Sequence, residues 1–249
     1  MQHYFLKQSL VVDQIVELPT KIKHHFFGVL RSQPKAKLEL VDENHIVFQA
    51  IAIDPELGTV KIETQLDRQT DLPVEATIIC GLAKQSKPEL IVQKATELGG
   101  VAEVIFIPME RSIVKWGGSK SEKKIERLQE VAVSAAEQSH RNSVPNIRYL
   151  AKLTELADQN YDRALIAYEE AAKQGEKAQL VQNLEQLSSG ESVSCVFGPE
   201  GGITDTEVNW LTDHGYQPVG LGPRILRTET APPMYFLSAV SVILELSQM

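Results

Sequence analysis

The sequence predicts an α/β fold in two domains, a small β-rich domain followed by a larger one built on a parallel sheet. Segments in which apolar and polar residues alternate dominate residues 10–67, as expected for half-buried strands. From residue 74 onward, strand-like and helix-like segments alternate, which is typical of a parallel sheet covered by helices. The stretch Thr70–Pro73 interrupts both patterns. We therefore predict one domain over residues 1–72 and a second over residues 73–249.

The first domain is predicted to be a small β-barrel with one short helix. The helix is expected over His24–Ser32, where Phe26, Phe27 and Leu30 recur at helical spacing. Turn-forming residues separate the remaining segments. The predicted strand segments are Leu10–Pro19, Lys37–Asp54 and Thr59–Asp67.

The second domain is predicted to alternate strands and helices. The predicted strands are Ala76–Ala83, Glu103–Met109, Arg163–Glu169, Ser192–Gly198 and Gln217–Gly222. The predicted helices are Lys87–Gly99, Lys120–His140, Leu180–Ser188, Thr204–His214 and an apolar C-terminal helix that runs to Leu246. We expect the last helix to form core and a dimer interface, or core alone. Ligands of parallel sheets bind at the carboxyl ends of the strands, so the functional site is expected at that edge.

The composition is that of a packed, soluble protein. A hydrophobic fraction of 43% with 23% charged residues supports a buried core and excludes a disordered chain. No apolar run approaches the roughly 18 residues that span a bilayer, and the start lacks a secretory signal, so a cytoplasmic protein is expected. Cys80 and Cys195 lie in apolar segments and are expected to be buried thiols. No spacing of cysteine and histidine suggests a metal site.

The charge distribution is uneven along the chain. A net charge of −8 argues against attraction of nucleic acid over the whole surface. Lys21–Lys37, in contrast, holds five lysines and arginines, two histidines and no acidic residue. This segment predicts either a local basic face for nucleic acid or an ordinary solvated surface, and both readings stay open.

Two glycine-rich turns follow predicted strands in the last quarter of the chain, Phe197–Gly202 and Gly220–Ala231. Glycine permits positive φ and lets a ligand approach the backbone, so each turn predicts half of a pocket, although one such turn alone is equally typical of an ordinary connection. The patterns GxxxxGK[ST] and GxGxxG are absent, which disfavours nucleotide phosphates. Within Arg224–Ala231, two arginines, a glutamate and two threonines favour a functional site, because a fold does not need them.

Further short motifs accompany these turns along nearly the whole chain. They are His24–His25, Val29–Arg31, Ile91–Gly99, Glu110–Ser112, Ala135–Ser139, Arg141 and Val144–Pro145. Together with Gly198–Gly202 and Leu221–Ala231, they make the chain resemble the bacterial 16S ribosomal RNA uridine N3-methyltransferases of the RsmE type, which belong to the SPOUT class. The resemblance implies a PUA-like N-terminal β-barrel that binds RNA, a C-terminal SPOUT α/β domain with a trefoil knot that binds S-adenosylmethionine (SAM), and a homodimer.

The chain departs from the family pattern outside the two glycine-rich motifs. His3 replaces the usual arginine before the aromatic pair, and Gln33–Ala36 replaces a Gly-Asp pair. His140 stands where a small residue is common, Pro88 where an apolar residue is usual, and Pro232–Pro233 follow the last motif. The departures therefore concern RNA contacts more than the cofactor site.

The resemblance and the strand ends together predict the site residues. The residues expected to bind SAM are Tyr168, Glu169, Gly198, Pro199, Glu200, Gly201, Gly202, Leu221, Gly222, Ile225, Leu226, Arg227 and Thr228. The residues expected to contact RNA are Arg31, Lys35, Lys37, Lys87, Gln138 and Arg141, with solvated or helix-capping side chains as the alternative.

Three residues are predicted to be catalytic. Uridine N3 must lose its proton, and Arg227 or Arg111 would stabilise the anion that develops at O2 or O4. Glu229 is expected to orient such an arginine or to assist removal of the proton, and the first role is favoured because a carboxylate beside two arginines is a weak base.

The predicted function is SAM-dependent methylation of N3 of a uridine in 16S ribosomal RNA of the small ribosomal subunit, by a homodimer that uses neither a metal nor a membrane. Two alternatives remain at this point. A methyltransferase of the same fold that acts on another RNA nucleotide would share every cofactor residue. A non-catalytic RNA-binding assembly factor would keep the basic segment but would not need the motif Arg224–Thr230.

Overall fold

The computed structural model describes residues 1–169 and 179–244. Contacts divide the chain into two units. The first unit contains Met1–Thr70 together with Ala136–Ser143. The second contains Asp71–Ala135 and the described residues from Val144 onward. None of the helices in these ranges is long and apolar enough to cross a membrane.

The first unit contains a five-stranded sheet. Its strands are β1 (Gln2–Phe5), β2 (Ile15–Glu17), β3 (Lys37–Val41), β4 (Val47–Asp54) and β5 (Thr59–Leu66). The strand order is β1-β3-β4-β5-β2, in which β1 pairs with β3 in parallel and the other pairs are antiparallel. Over residues 1–70, all of which the structure describes, β1 and β2 remain the edges of this sheet, so its pairing does not close into a barrel.

A short helical segment supplies part of the core of the first unit. Helix α1 (Thr20–Lys23) continues into a π-helical stretch, His24–Val29, close to the predicted helix. Phe26 from this stretch is completely buried, together with Leu38 and Ile62 of the sheet. The helix forms here because its aromatic side chains can be buried in one apolar cluster.

The second unit contains a six-stranded sheet whose strands are all parallel, as predicted. The strand order is β11-β9-β10-β6-β7-β8. The strands are β6 (Glu75–Gly81), β7 (Val101–Ile107), β8 (Asn146–Tyr149), β9 (Arg163–Ala167), β10 (Ser192–Phe197) and β11 (Gln217–Val219).

Helices and apolar clusters cover both faces of this parallel sheet. The helices are α2 (Lys87–Glu97), α3 (Ser119–Ser139), α4 (Gln179–Glu185), α5 (Asp205–Asp213) and α6 (Ser238–Leu244), the last preceded by a π-helical stretch, Ala231–Leu237. Ile78 and Ile79 are neighbours in β6, yet they belong to different apolar clusters. Successive side chains of a strand point to opposite faces, so both faces are buried, and the strand reads as a continuous apolar run.

Several predictions from the sequence can be compared directly with this architecture. Cys80 and Cys195 are buried free thiols, as predicted. Strands β1 and β8, each four residues long, were not predicted. The last two residues of the predicted C-terminal helix, 245 and 246, lie outside the described residues.

Candidate functional site

A cavity of about 770 Å³ lies at the carboxyl ends of β9 and β10 in the second unit. Small-molecule sites commonly measure about 300–1,000 Å³ and occur at this edge of open α/β sheets. The two glycine-rich turns line the cavity from two sides, and Tyr168 and Glu169 line it directly after β9. Every residue that the sequence analysis assigned to SAM binding lines this one cavity.

The first glycine-rich turn is packed closely against the end of β6. A methyl group placed on Gly81 would lie 2.5 Å from Pro199 Cδ, and one placed on Gly201 would lie 2.8 Å from Arg111 Cβ. Arg111 also donates a hydrogen bond from its Nη1 to the carbonyl oxygen of Gly201, at 3.1 Å. The backbone of this turn is therefore held in place by its neighbours, and glycine is required where they approach most closely.

The loop after β7 is fixed to the start of α5 by carboxylates. The backbone N–H of Glu110 donates to Glu207 Oε1 at 2.7 Å, and Thr204 Oγ1 donates to Glu110 Oε2 at 3.0 Å. Thr204 and Glu207 also form a reciprocal capping box at the start of α5. These bonds hold Arg111 beside the cavity, and sequence reasoning did not identify them.

The second glycine-rich turn needs glycine at its centre. Gly222 has a φ of +86°, and a methyl group there would lie 2.9 Å from Tyr235 Oη. Ile225 follows with 87% of its surface exposed, an unusual state for a large apolar side chain that lines a cavity.

Oppositely charged side chains from three segments meet at the wall of the cavity. Lys87 Nζ, from the start of α2, lies 3.0 Å from Glu200 Oε1 and 3.3 Å from Glu229 Oε2. Burial lowers the pKa of Lys87, but its bonds to both carboxylates outweigh this effect and raise that pKa. The ammonium group therefore stays charged and joins the two glycine-rich turns electrostatically. Sequence reasoning had assigned Lys87 to RNA contact.

The predicted catalytic residues gather around the same cavity. Arg111 and Arg227 both line it, and Arg227 Nη1 lies 3.9 Å from Glu229 Oε1. The side chain of Arg227 is 83% exposed, whereas that of Glu229 is 15% exposed. The arginine can therefore change its rotamer, while the glutamate is fixed beside Lys87.

The remaining predicted RNA contacts belong to the first unit. Arg31, Lys35, Lys37 and Gln138 are exposed. Arg141 is buried to 3% exposure, and its Nη2 donates to Ser143 Oγ. A phosphate could reach that guanidinium only if neighbouring groups moved aside.

Two of the departures from the family pattern meet on one buried carboxylate of the first unit. His3 Nδ1 and His140 Nδ1 lie 3.0 Å and 2.8 Å from Glu39 Oε2. Arg68 Nη2 lies 2.7 Å from the same oxygen. Burial raises the pKa of Glu39, but the hydrogen bonds from Arg68, His3 and His140 outweigh burial and hold that pKa at about 2.

This cluster also contains metal-ligating side chains. The ligand atoms of His3, Glu39 and His140 lie within 4.8 Å of one another. His3 Nε2 donates to the carbonyl oxygen of Arg141 at 2.8 Å. Because Arg68 already supplies a cation to the carboxylate, the arrangement is that of a buried ion-pair network.

The chain is similar to known RNA methyltransferases over most of its length. Residues 70–241 match the model of the RNA methyltransferase domain family. The chain is 39% identical to ribosomal RNA small subunit methyltransferase E of Bacillus subtilis, over 99% of this chain and 98% of that protein. It is 31% identical to the protein of the same name from Synechocystis, over 94% of this chain and 75% of that protein.

Solved structures agree with this comparison. A ribosomal RNA small subunit methyltransferase E from Neisseria gonorrhoeae, bound to S-adenosyl methionine, has a TM-score of 0.81 at 29% identity and covers 99% of this chain and 98% of that one. A protein described only as hypothetical has a TM-score of 0.89 at 33% identity and covers 99% of this chain and 100% of that one.

Proposed function

Because the chain belongs to the ribosomal RNA small subunit methyltransferase E family, we propose that it transfers the methyl group of SAM to N3 of a uridine in 16S ribosomal RNA. The chain is a SAM-dependent methyltransferase of small-subunit ribosomal RNA. The choice of uridine and of its N3 atom is the finer part of the proposal. The observation that carries SAM-dependent methyl transfer is the cavity at the strand ends, where both glycine-rich turns and both candidate arginines meet. The family resemblance supports the choice of uridine N3.

The residues around the cavity fit SAM. The backbone of both turns is accessible because glycine occupies the crowded positions, and a Cβ at Gly222 would approach Tyr235 Oη to 2.9 Å. Glu169 and Asp205 line the cavity and supply negative charge toward a cationic ligand. When bound, SAM supplies a methyl group on a positively charged sulfur. The residues proposed to hold it are those assigned above, from Tyr168 to Thr228.

The arginines are proposed to act on the uridine. Loss of the N3 proton leaves negative charge on O2 and O4, and a positioned guanidinium stabilises that charge. Arg111 is anchored on the carbonyl oxygen of Gly201, so it is suited to hold the base in place. Arg227 is exposed and has Glu229 beside it, so it is suited to reach the base once RNA is bound. Correct placement of donor and acceptor then supplies much of the rate.

The RNA-binding part of the proposal concerns the first domain. We propose that residues 1–72 form a PUA-like domain and that Arg31, Lys35 and Lys37 contact RNA phosphates there. The exposure of these three side chains supports this role. Further candidates for RNA contact are Gln138, Arg141 and Lys87. Lys87 also lines the cavity.

The proposal also includes a SPOUT domain with a trefoil knot over residues 73–249, and a homodimer in the cytoplasm, where its ribosomal RNA substrate would be. The family resemblance supports the trefoil knot of the second domain. The family resemblance and the apolar C-terminal segment support the dimer. Sedimentation should give about twice the chain mass of 27.7 kDa. A monomer that still methylates RNA would contradict the dimer.

Product analysis tests the function. Ribosomal RNA from a strain that lacks this protein should lose one N3-methyluridine by mass spectrometry, and the wild-type gene should restore it. The Arg227→Ala gene should restore much less, although its product accumulates. Loss of a methyl group at another atom or nucleotide would replace the uridine-N3 assignment. An unchanged set of modifications would point to the assembly-factor alternative.

A further inference from the structure

Helix α3 separates its charges onto different faces. Its basic residues Lys120, Lys123, Lys124 and Arg127 are spaced at i, i+3, i+4 and i+7, so they share one face over about 10 Å of helix. We refer to these four residues as the basic stripe. All four are exposed. Three of its acidic residues, Glu122, Glu126 and Glu130, are spaced four apart and lie on another face.

The basic stripe places like charges next to one another on the helix surface. Residues four apart are neighbours on a helix surface, and like charges at that spacing repel. Lys120 faces Lys124, and Lys123 faces Arg127, so the basic stripe contains two such repulsive pairs. An acidic residue at one position of each pair would turn this repulsion into attraction. Although Lys123 and Arg127 each have a glutamate three positions further on, the helix concentrates its positive charge on one face, which favours a negatively charged partner.

A groove of about 250 Å³ opens beside the basic stripe. It is lined by Pro88, Glu89, Trp116, Lys123, Lys124, Arg127 and Leu128. Lys124 Nζ lies 5.1 Å from the centre of the Trp116 ring, which holds the ammonium group at the groove by a cation–π contact. Arg127 Nη2 lies 3.4 Å from Glu89 Oε1. Three cations and one carboxylate line the groove, so it carries a positive charge in a protein of net charge −8.

We propose that the basic stripe and its groove form an RNA docking surface of the second unit, which contacts backbone phosphates of the substrate. The inference rests on the proposed function, because RNA is the polyanion that this enzyme must bind. Lysine and arginine contacts to phosphate carry no sequence information but fix the position of the strand. The docking surface adds to the segment Lys21–Lys37, which lies in the first unit. An acidic net charge makes such local surfaces necessary, since overall charge repels RNA.

The test is a charge reversal on the basic stripe, K123E/K124E, in the full-length protein. The probes are a short polyuridylate and a small-subunit ribosomal RNA transcript, whose affinities are measured across a range of salt concentrations. We expect affinity to fall by at least about tenfold, and the slope of log affinity against log salt to fall by about 1.4 if each lysine meets one single-strand phosphate. SAM affinity should not change, because neither lysine lines the cofactor cavity.

The matched control is K7E/K152E, which makes the same change in net charge at two other exposed lysines. The control should keep the wild-type salt slope. The melting temperature of K123E/K124E serves as the folding control, because the substitution turns both repulsive pairs into attractive ones.

The possible results distinguish a failure of the docking surface from a failure of the proposed function. If K123E/K124E binds both RNAs with wild-type affinity and slope, the docking surface is wrong. If the control loses as much affinity as K123E/K124E, overall charge accounts for the effect and the docking surface is also wrong. If the wild type binds RNA through the basic stripe but transfers no methyl group to ribosomal RNA, the proposed function fails and the docking surface stands.

Discussion

Replacing Gly81 by alanine should disable the cofactor site without unfolding the protein. Gly81 ends β6, and the added methyl group would lie 2.5 Å from Pro199 Cδ, 2.6 Å from Pro199 N and 3.0 Å from Met109 Sδ. Ordinary contact begins near 3.4 Å, so Pro199 must move by about 0.9 Å. Gly81 lies in a strand and does not have positive φ, so alanine suits its backbone and the collision alone produces the effect.

The size of the effect follows from that displacement. Pro199 belongs to the first glycine-rich turn, so its movement shifts the backbone that lines the cavity. A misplacement of about 1 Å costs about 100-fold in rate, and overpacking of a tight core costs about 1–3 kcal/mol in stability. We therefore expect methyl transfer to fall by about 100-fold and SAM affinity to fall as well, while the protein remains folded.

Calorimetry with SAM, methyl transfer to ribosomal RNA and thermal unfolding together measure these effects. Gly117→Ala is the matched control, because a methyl group there meets no atom of the described residues within 4 Å and Gly117 does not have positive φ. The control should behave as the wild type in all three measurements. Wild-type rate and SAM affinity in Gly81→Ala would refute the reasoning, since the turn would then not need its observed position.

Three further predictions concern charged residues. Changing Lys35 and Lys37 together to glutamate should lower RNA affinity and flatten its salt dependence but leave SAM affinity unaltered; unchanged RNA binding would make the segment an ordinary solvated face. Arg227→Ala should reduce methyl transfer far more than RNA binding, and equal losses of rate and binding would contradict a role in the reaction. The pKa of Glu39 is about 2 in the folded protein against an ordinary 4.5, so its stabilisation should be complete above about pH 4.5 and disappear as pH falls to about 2. Glu39→Gln should weaken this part of the pH dependence of unfolding, and an identical pH profile would exclude Glu39 as its source.

Local chemistry made the second unit and its cavity predictable. Continuous apolar segments alternating with helical ones predicted the parallel sheet, because a strand buried on both faces has no polar side. Both glycine-rich turns could be assigned to one cavity from the sequence, since parallel strands end at the same edge of a sheet.

The tertiary structure decided which charged groups meet. Lys87 joins Glu200 and Glu229, which are far from it in sequence, and the sequence analysis gave this lysine to RNA. His3 and His140 reach Glu39 across 36 and 101 residues, although sequence reasoning noted both histidines only as departures from a pattern. Local sequence patterns indicate the conformation of a segment and the face that it buries. Pairings between distant side chains depend instead on strand order and on the path of each loop. That is why the sequence determined the cavity and its glycines, and why the folded chain alone determined the partners of its charges.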